Sequence, residues 1–391
     1  MVKTVFAGQH ERADRSDCMM ELTLKKSGGW DICINSKVKL LFEQSIRNTI
    51  EEGLRTFSID HANVTIYDNG APDYVIMSRL EACIKQVVKA DVDYLPDMLP
   101  QNMTGTKKDR MRRSRLYLPG DTPKLALNAG LHGGDGIILD LEDSVAPIRK
   151  DEARILVRNT LRSVDFYGAE RMVRINQGEQ GFKDLDAVIP QHVNLILLPK
   201  CESMQQLKAI DKRILDLRTE HKIEHDVWIM PIIESALGVI NAYEIASASP
   251  NVAALAIGLE DYTADIGAPR TAEGKESFFA RSMLVNAAKA AGIQAIDSVF
   301  SDVSDMDALH ENVLASKALG FDGMGCIHPR QIKVIHEAFA PTEKEIEKAA
   351  TIVEAFKDAE ARGLGVVAVG SKMIDPPVVK RALRIMALAE K

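Results

Sequence analysis

The feature that most restricts the fold is an alternation that begins near Leu116 and runs eight times. Short aliphatic or β-branched runs at 116–118, 136–141, 172–175, 195–198, 227–233, 253–257, 293–296 and 323–327 are separated by amphipathic stretches, among them 203–218, 236–246, 277–291 and 306–319. Strands that alternate with helical segments imply βα units and a parallel sheet. Eight such units predict an α/β fold, a (β/α)8 TIM barrel. An open doubly wound sheet fits less well, because no G-x-G-x-x-G follows the first strand.

Ahead of the barrel, residues 1–88 read as a small α+β unit. Strands at 19–24 and 30–34 flank a Ser27-Gly28-Gly29 turn, and a helix spans 38–57 with apolar positions Leu40, Leu41, Ile46, Ile50 and Leu54. Asp68-Asn69-Gly70 predicts a hairpin joining 63–67 to 73–77, since Asn-Gly supplies the positive φ a tight turn needs. A helix over 78–88 closes the unit. Residues 89–111 hold Pro96, Pro100 and Gly105 and no sustained period, as a linker does. The basic run from Lys107 to Arg115 reads as a solvated linker end or as a phosphate contact. The barrel is assigned to 112–340. A helical extension fills 341–391: a long helix from about Thr342, an irregular segment 363–375 and a last helix after Pro376-Pro377.

Composition narrows the function classes. The 391 residues carry 49 Lys and Arg against 56 Asp and Glu, a formal charge of −7, so no basic field collects nucleic acid or anionic lipid. With 46% apolar and 27% charged residues the chain is an ordinary globular protein. No apolar run is long enough to span a bilayer, and the start lacks a signal-peptide core, so a cytoplasmic address is expected. Five cysteines without a C-x-x-C pair read as reduced, mostly buried thiols.

In such a barrel the chemistry sits where the strands end, so the first polar residues after each strand form a set. They are Asp140, Glu142 and Asp143; Arg174 and Asn176; Lys200 and Glu202; Glu234; Glu260 and Asp261; Asp297; and His328, with Arg113 and Arg115 at the mouth or foot of the first strand. Any one carboxylate at a strand end is also a common helix N-cap. Glu234 and Asp261, on adjacent strand ends, could share one hard cation with water and substrate oxygens. Magnesium is the natural ion, because no Cys/His cluster has zinc spacing. His328 reads as a residue that fixes its loop. Magnesium beside Arg113 and Arg174 describes a site for an oxygen-rich anion, and surface salt bridging is the alternative for those arginines. The matching reaction is carbon–carbon cleavage beside a hydroxyl, with an acid near to protonate the departing enolate.

The motifs Arg113-Ser114-Arg115-Leu116-Tyr117-Leu118-Pro119-Gly120, Leu139-Asp140-Leu141-Glu142-Asp143-Ser144-Val145, Val173-Arg174-Ile175-Asn176, Pro199-Lys200-Cys201-Glu202-Ser203 and Ile233-Glu234-Ser235-Ala236-Leu237-Gly238 resemble the citrate lyase beta subunit and the related malyl-CoA and citramalyl-CoA lyases. Gly258-Leu259-Glu260-Asp261-Tyr262, Gln294-Ala295-Ile296-Asp297 and Ile327-His328-Pro329 continue the likeness, which covers about 112–391. The resemblance implies a magnesium-dependent barrel enzyme that assembles as a trimer or hexamer. It implies Glu234 and Asp261 as metal ligands, Arg113 and Arg174 as clamps on the substrate, and Glu142 and Asp143 near the metal's water shell. Ser371-Lys372-Met373-Ile374-Asp375 matches a segment that reaches a neighbouring subunit in those lyases, which makes Asp375 the implied acid/base.

The first unit is similar to the citrate lyase acyl carrier (gamma) subunit, through Asp31-Ile32-Cys33-Ile34-Asn35-Ser36, the helix after it, and Ser78-Arg79-Leu80-Glu81-Ala82. In that subunit a serine carries a CoA-derived phosphopantetheine arm, and Ser16 is the serine that matches. Either Ser16 is modified, or the unit serves only in docking and assembly. The expectation is a fused carrier and lyase that cleaves a citryl or citramalyl thioester to an acetyl thioester and a 2-keto acid, with an acyl transferase subunit as a further partner. The alternatives are a malyl-CoA-type lyase acting on free CoA thioesters, and a scaffold that binds acyl thioesters without cleaving them.

Overall fold

The computed structural model describes residues 3–8, 15–271, 273–361, 367–369 and 372–389. The first unit holds β1 (Thr4–Ala7), β2 (Cys18–Leu24), β3 (Trp30–Ser36), α1 (Lys39–Thr56), β4 (Ala62–Asp68) and α2 (Asp73–Lys85). Its sheet has the order β1-β2-β4-β3, with β3 and β4 parallel across the α1 crossover and the other pairs antiparallel. The period-2 pattern of β4 puts Ala62, Val64 and Ile66 on the buried face, against Ile50 and Leu54 of α1.

Two expectations for this unit are corrected. Residues 73–77 are not a returning strand; they are the first turns of α2, which runs unbroken to Lys85. Pro72 at the N-cap is extended, Asp73 lies in the first turn where the helix dipole favours it, and β4 already has β2 and β3 as neighbours. Leu40 and Leu41 are not core positions either. Both are exposed at the start of α1, whose buried stripe begins at Ile46.

The barrel closes as eight parallel strands: β5 (Ser114–Pro119), β6 (Gly136–Asp140), β7 (Glu170–Arg174), β8 (Leu195–Leu198), β9 (Trp228–Ile233), β10 (Ala254–Ile257), β11 (Gln294–Asp297) and β12 (Gly323–Cys326), with β12 pairing back to β5. Helices α3 (Lys150–Ser163), α4 (Gly178–Val188), α5 (Met204–Glu220), α6 (Lys275–Ala290), α7 (Met306–Leu319) and α8 (Arg330–Phe339) wrap it, with shorter helices after β9. The start of α5 is set by a capping box between Ser203 and Gln206. Inside, Ile138, Met172, Leu197, Met230, Ile232 and Ile296 fill the cylinder, so it is a packed core rather than a pore.

Residues 89–111 cross the foot of the barrel and are fastened to it. Asn102 donates to the carbonyls of Leu161 and Val164, Trp228 donates to Thr106, and buried Arg112 holds buried Glu170 through two bonds of 2.7 and 2.8 Å. The first unit is joined to α3 through buried charges. Arg79 of α2, with no exposed surface, grips Asp17 and Glu152, while Arg158 of α3 holds Glu81 at 2.6 Å. Asn159 donates to Ser78 across the same seam.

Beyond the barrel lie α9 (Glu343–Ala361), the short pair β13 (Val367–Val369) and β14 (Lys372–Ile374), and α10 (Pro376–Ala389), which packs on α9. The expected irregular segment 363–375 therefore contains two short strands; its residues 363–366 and 370–371 lie outside the described residues. Arg384 of α10 pairs with Asp322, at the amino end of β12.

Candidate active site

The strand ends build a cavity of about 380 Å³ at the carboxyl end of the barrel, lined among others by Tyr117, Asp140, Arg174, Glu234 and Asp261. Asp140 and Arg174 stand opposite one another in the β6–β7 register. The guanidinium grips the carboxylate with two bonds of 2.7 Å, and the backbone N–H groups of Glu142 and Ser144 donate to the same oxygens. Burial works against the Asp140 charge, but this clamp outweighs it and holds the carboxyl below its ordinary range. Arg174 also reaches Glu142 at 2.9 Å and lies over the Tyr117 ring, 5.4 Å from its centre. Such a bidentate, stacked guanidinium is held rigidly, with donors left on its free edge.

Lys200 follows β8 in the left-handed region, at φ 48°, a conformation uncommon for a side chain of this size. The turn lets it serve two carboxylates at once: its N–H donates to Glu234 at 2.6 Å and its ammonium to Glu142 at 2.8 Å. Glu234 leaves the end of β9 and is 6% exposed. A β-carbon on Gly258 would stand 2.4 Å from the Glu234 carboxylate, so only glycine fits there. Burial pushes the Glu234 carboxyl up to about 8, the charges of Asp261 and Glu142 push the same way, and the Lys200 N–H opposes them. Glu142 is raised as well, chiefly by burial.

A buried carboxyl held neutral beside two other carboxylates is a donor set short of positive charge, and a divalent cation fits that deficit. Glu234 and Asp261 both face the cavity. Among the described residues no three Asp, Glu, His or Cys side chains gather as a complete metal site. The protein would thus supply two oxygens, leaving other positions to water and substrate, which suits magnesium.

Several predicted residues stand elsewhere. Arg113 precedes β5 at the foot of the barrel, where both its Nε and Nη2 are bound to Asp135, and it does not line the mouth; its expected place at the substrate is corrected. Glu260 and Asp297 do line the cavity, but each is already paired, Glu260 with Arg270 and Asp297 with Arg281 and Ser316. His328 accepts the N–H of Arg330, as a loop-fixing residue does. Asp375 caps α10 through the Val378 N–H and is not among the residues lining its own chain's mouth. Of the two arginines offered at the first strand, Arg115 lines the cavity, and the structure adds Tyr117; the inward alternation of β5 at 115 and 117 signals both once the strand is known to face the cavity.

Ser16 lies in a turn at φ 68°, its N–H donating to Asn69. With Arg15, Lys124 and His132 it borders a groove of about 540 Å³. Groove and mouth share Tyr117, Leu118, Pro119 and Ile327.

Residues 113–329, more than half of the chain, match the family HpcH/HpaI aldolase/citrate lyase. The chain belongs to that family. It is accordingly an enzyme of the carbon–carbon lyase class. The citrate lyase subunit beta of Leuconostoc mesenteroides is 39% identical over 284 residues, 72% of this chain and 94% of that one. The mouse mitochondrial citramalyl-CoA lyase is 35% identical over 71% of this chain and 86% of its own. Among solved structures, the Mycobacterium tuberculosis protein CitE in complex with magnesium, acetoacetate and coenzyme A superposes with a TM-score of 0.61 at 29% identity. That match covers 73% of this chain and all of that one. Residues 3–87 match a second family, ACP, malonate decarboxylase delta subunit (MdcD), so the first unit is carrier-like. Among the described residues no helix is long and apolar enough to cross a membrane.

Proposed function

We propose that the chain is a magnesium-dependent lyase that cleaves a citryl- or citramalyl-type acyl thioester to an acetyl thioester and a 2-keto acid, with its first unit as its own acyl carrier. The observation that carries this reading is the mouth itself. Buried Glu234 and part-exposed Asp261 stand there with no ion-pair partner among the described residues, beside an arginine fixed by Asp140 and within a groove's width of Ser16. Glu234 and Asp261 would hold the ion, with Glu142 and Asp143 near its water shell. When bound, it stabilises negative charge on the oxygens of the nascent keto acid.

Arg174 orients the substrate with the donors left on its free edge, and Tyr117 backs it. The substrate hydroxyl gives up its proton, and the bond from its carbon to the thioester α-carbon breaks. That electron pair passes to the thioester as an enolate, leaving a ketone behind. The enolate then takes a proton, so one proton is lost and one gained. Asp375 of a second copy, in a trimer or hexamer, would be the acid; in its own chain it caps α10 and is not among the residues lining the mouth.

Ser16 would carry the phosphopantetheine arm. Arg15 and Lys124 in its groove suit the arm's phosphate, and the shared wall leads along β5 to the mouth. The buried ion pairs of Arg79 and Arg158 favour a second reading as well, in which the fixed unit only docks and free CoA thioesters are the substrates. Intact mass of protein from its native cell, followed by assay of citryl and citramalyl thioesters with magnesium, separates them. A prosthetic increment on Ser16 supports the carrier, and turnover of CoA thioesters by unmodified protein supports docking. An absence of cleavage in both cases, with magnesium bound, overturns the lyase.

A further inference from the structure

The floor of the mouth cavity holds a charge that the proposed cleavage has not used. Arg115, the second residue of β5, points into the barrel, is 1% exposed and lines the cavity. Most other buried arginines are matched to carboxylates, Arg112 to Glu170, Arg79 to Asp17 and Glu152, Arg158 to Glu81 and Arg154 to Asp184, while buried Arg171 is bound instead to the backbone carbonyls of Thr104 and His192. Among the described residues Arg115 has no carboxylate within ion-pair distance. Its Nη1 rests on the sulfur of Met230, a weak acceptor, and its Nε has no partner. Around it are the apolar side chains that fill the cylinder, and burial lowers its affinity for its own proton.

An unpaired guanidinium in such surroundings is costly, and it is a poor way to fill a barrel that already uses Met and Ile for that purpose. The space beside it is also kept open. A β-carbon on Gly325 of β12 would come 2.7 Å from Val299, 3.1 Å from the Tyr117 ring and 3.7 Å from Arg115 Nη2. The carboxyl groups of the cavity without an ion-pair partner among the described residues, those of Glu234 and Asp261, sit at the strand ends, above the floor. The cavity thus has an acidic rim for a cation and one cation beneath it for an anion.

We propose that Arg115 receives a second carboxylate on the keto-acid half of the substrate and so sets the acyl specificity. A citryl-type group, whose leaving fragment is a dicarboxylic 2-keto acid, is selected over a citramalyl-type group, whose fragment has one carboxylate. The inference rests on the lyase reading of the same mouth. A charged group anchored at the floor would leave the carbon being cleaved facing the metal carboxylates and Arg174.

The test is calorimetric titration of the full-length, magnesium-loaded protein with oxaloacetate and with pyruvate, which differ at that carboxylate. Wild-type protein is expected to favour oxaloacetate. Arg115→Met, which matches the neighbouring methionines in shape, is expected to lower the oxaloacetate-to-pyruvate affinity ratio by roughly 10- to 100-fold, the worth of a charge-assisted hydrogen bond. Arg115→Gln, which keeps a polar head, serves if the methionine variant folds poorly and should lower the ratio in the same sense. Arg115→Lys should keep part of the preference. A ratio that stays at the wild-type value in both neutral variants overturns the role of Arg115 alone. Wild-type protein that binds neither keto acid, while still binding magnesium, overturns the lyase reading together with it.

Discussion

Replacing Glu234 by Gln tests the electrostatics of the mouth without reference to turnover. The carboxyl has an ordinary value of 4.5 and is pushed up to about 8 in the fold. Between those values the folded chain keeps a proton that the unfolded chain has released, so stability without metal falls as pH rises through that window and is level outside it. At about 1.4 kcal/mol per unit the full cost of ionising Glu234 in the fold approaches about 5 kcal/mol, of which about 3 kcal/mol develops between pH 5 and pH 8. Glutamine has the same shape and no proton to lose. The acids around it, Asp261 and Glu142, are present in both proteins, so the difference reports Glu234 together with its repulsion by them.

The assay is thermal unfolding of both proteins in a chelator across that range. At about 2 °C per kcal/mol for a chain of this size, the Tm advantage of Glu234→Gln should grow by roughly 6 °C from pH 5 to pH 8. Added magnesium should then raise the wild type, by about 2.7 kcal/mol at a hundred times its Kd, and raise the variant far less. A Tm difference that does not change with pH would refute the buried, uncompensated carboxyl. Equal stabilisation of both proteins by magnesium would refute Glu234 as a ligand.

Single contacts elsewhere carry their own outcomes. If Asp375 serves a neighbouring copy, Asp375→Asn and Glu234→Gln should each be inactive alone, and mixing them under conditions of subunit exchange should restore cleavage; no recovery despite exchange shown by mass would count against it. Arg158→Met leaves the Glu81 carboxylate buried with Lys85 and the Tyr94 N–H as partners, so denaturant unfolding should show a loss of roughly 3 kcal/mol, while a neutral result would mean the seam between the first unit and α3 is wet. Ser16→Ala should abolish any prosthetic mass increment and leave turnover of free CoA thioesters intact; an increment that survives would place the arm elsewhere.

The barrel is legible in the sequence because its signal is repetitive. Eight apolar runs with strand length, each succeeded by helical periodicity, leave few alternatives, and the rule that chemistry sits at strand ends then collects Asp140, Glu142, Arg174, Glu234 and Asp261 without any knowledge of their contacts. The residues that escape do so through direction. Arg113 and Arg115 are two residues apart, yet one precedes the strand and is spent on Asp135 while the other enters the cylinder, and only the true start of β5 tells them apart. At 73–77 the Asn69-Gly70 pair marks a turn but leaves the type of the next element open; Pro72 with Asp73 after it is the stronger signal, for a helix start. Lys200 carries no signal of its role, since the left-handed turn that lets it hold Glu142 and Glu234 is a backbone state that lysine rarely adopts.

The seam between the first unit and the barrel bears on how a tethered acyl group would reach the mouth. Carrier domains that move as bodies need a loosely fitted interface, whereas here buried Arg79, Glu81 and Arg158, with part-buried Glu152, are ion-paired across a seam that Asn159 and Ser78 also bridge by a hydrogen bond. If Ser16 carries the proposed arm, a seam that stays closed through turnover confines motion to that arm. With its attachment point fixed beside the groove, the arm searches a small volume that contains the mouth, which raises the local concentration of substrate in proportion. The same fixation limits access to any second enzyme, because Ser16 cannot be carried away from this barrel. A transferase that loads the arm would have to approach along the outer side of β5, past Lys124 and His132, and could not work on an undocked carrier. Weakening the seam through Arg158 should therefore slow transfer into the mouth even where the lyase site itself is untouched.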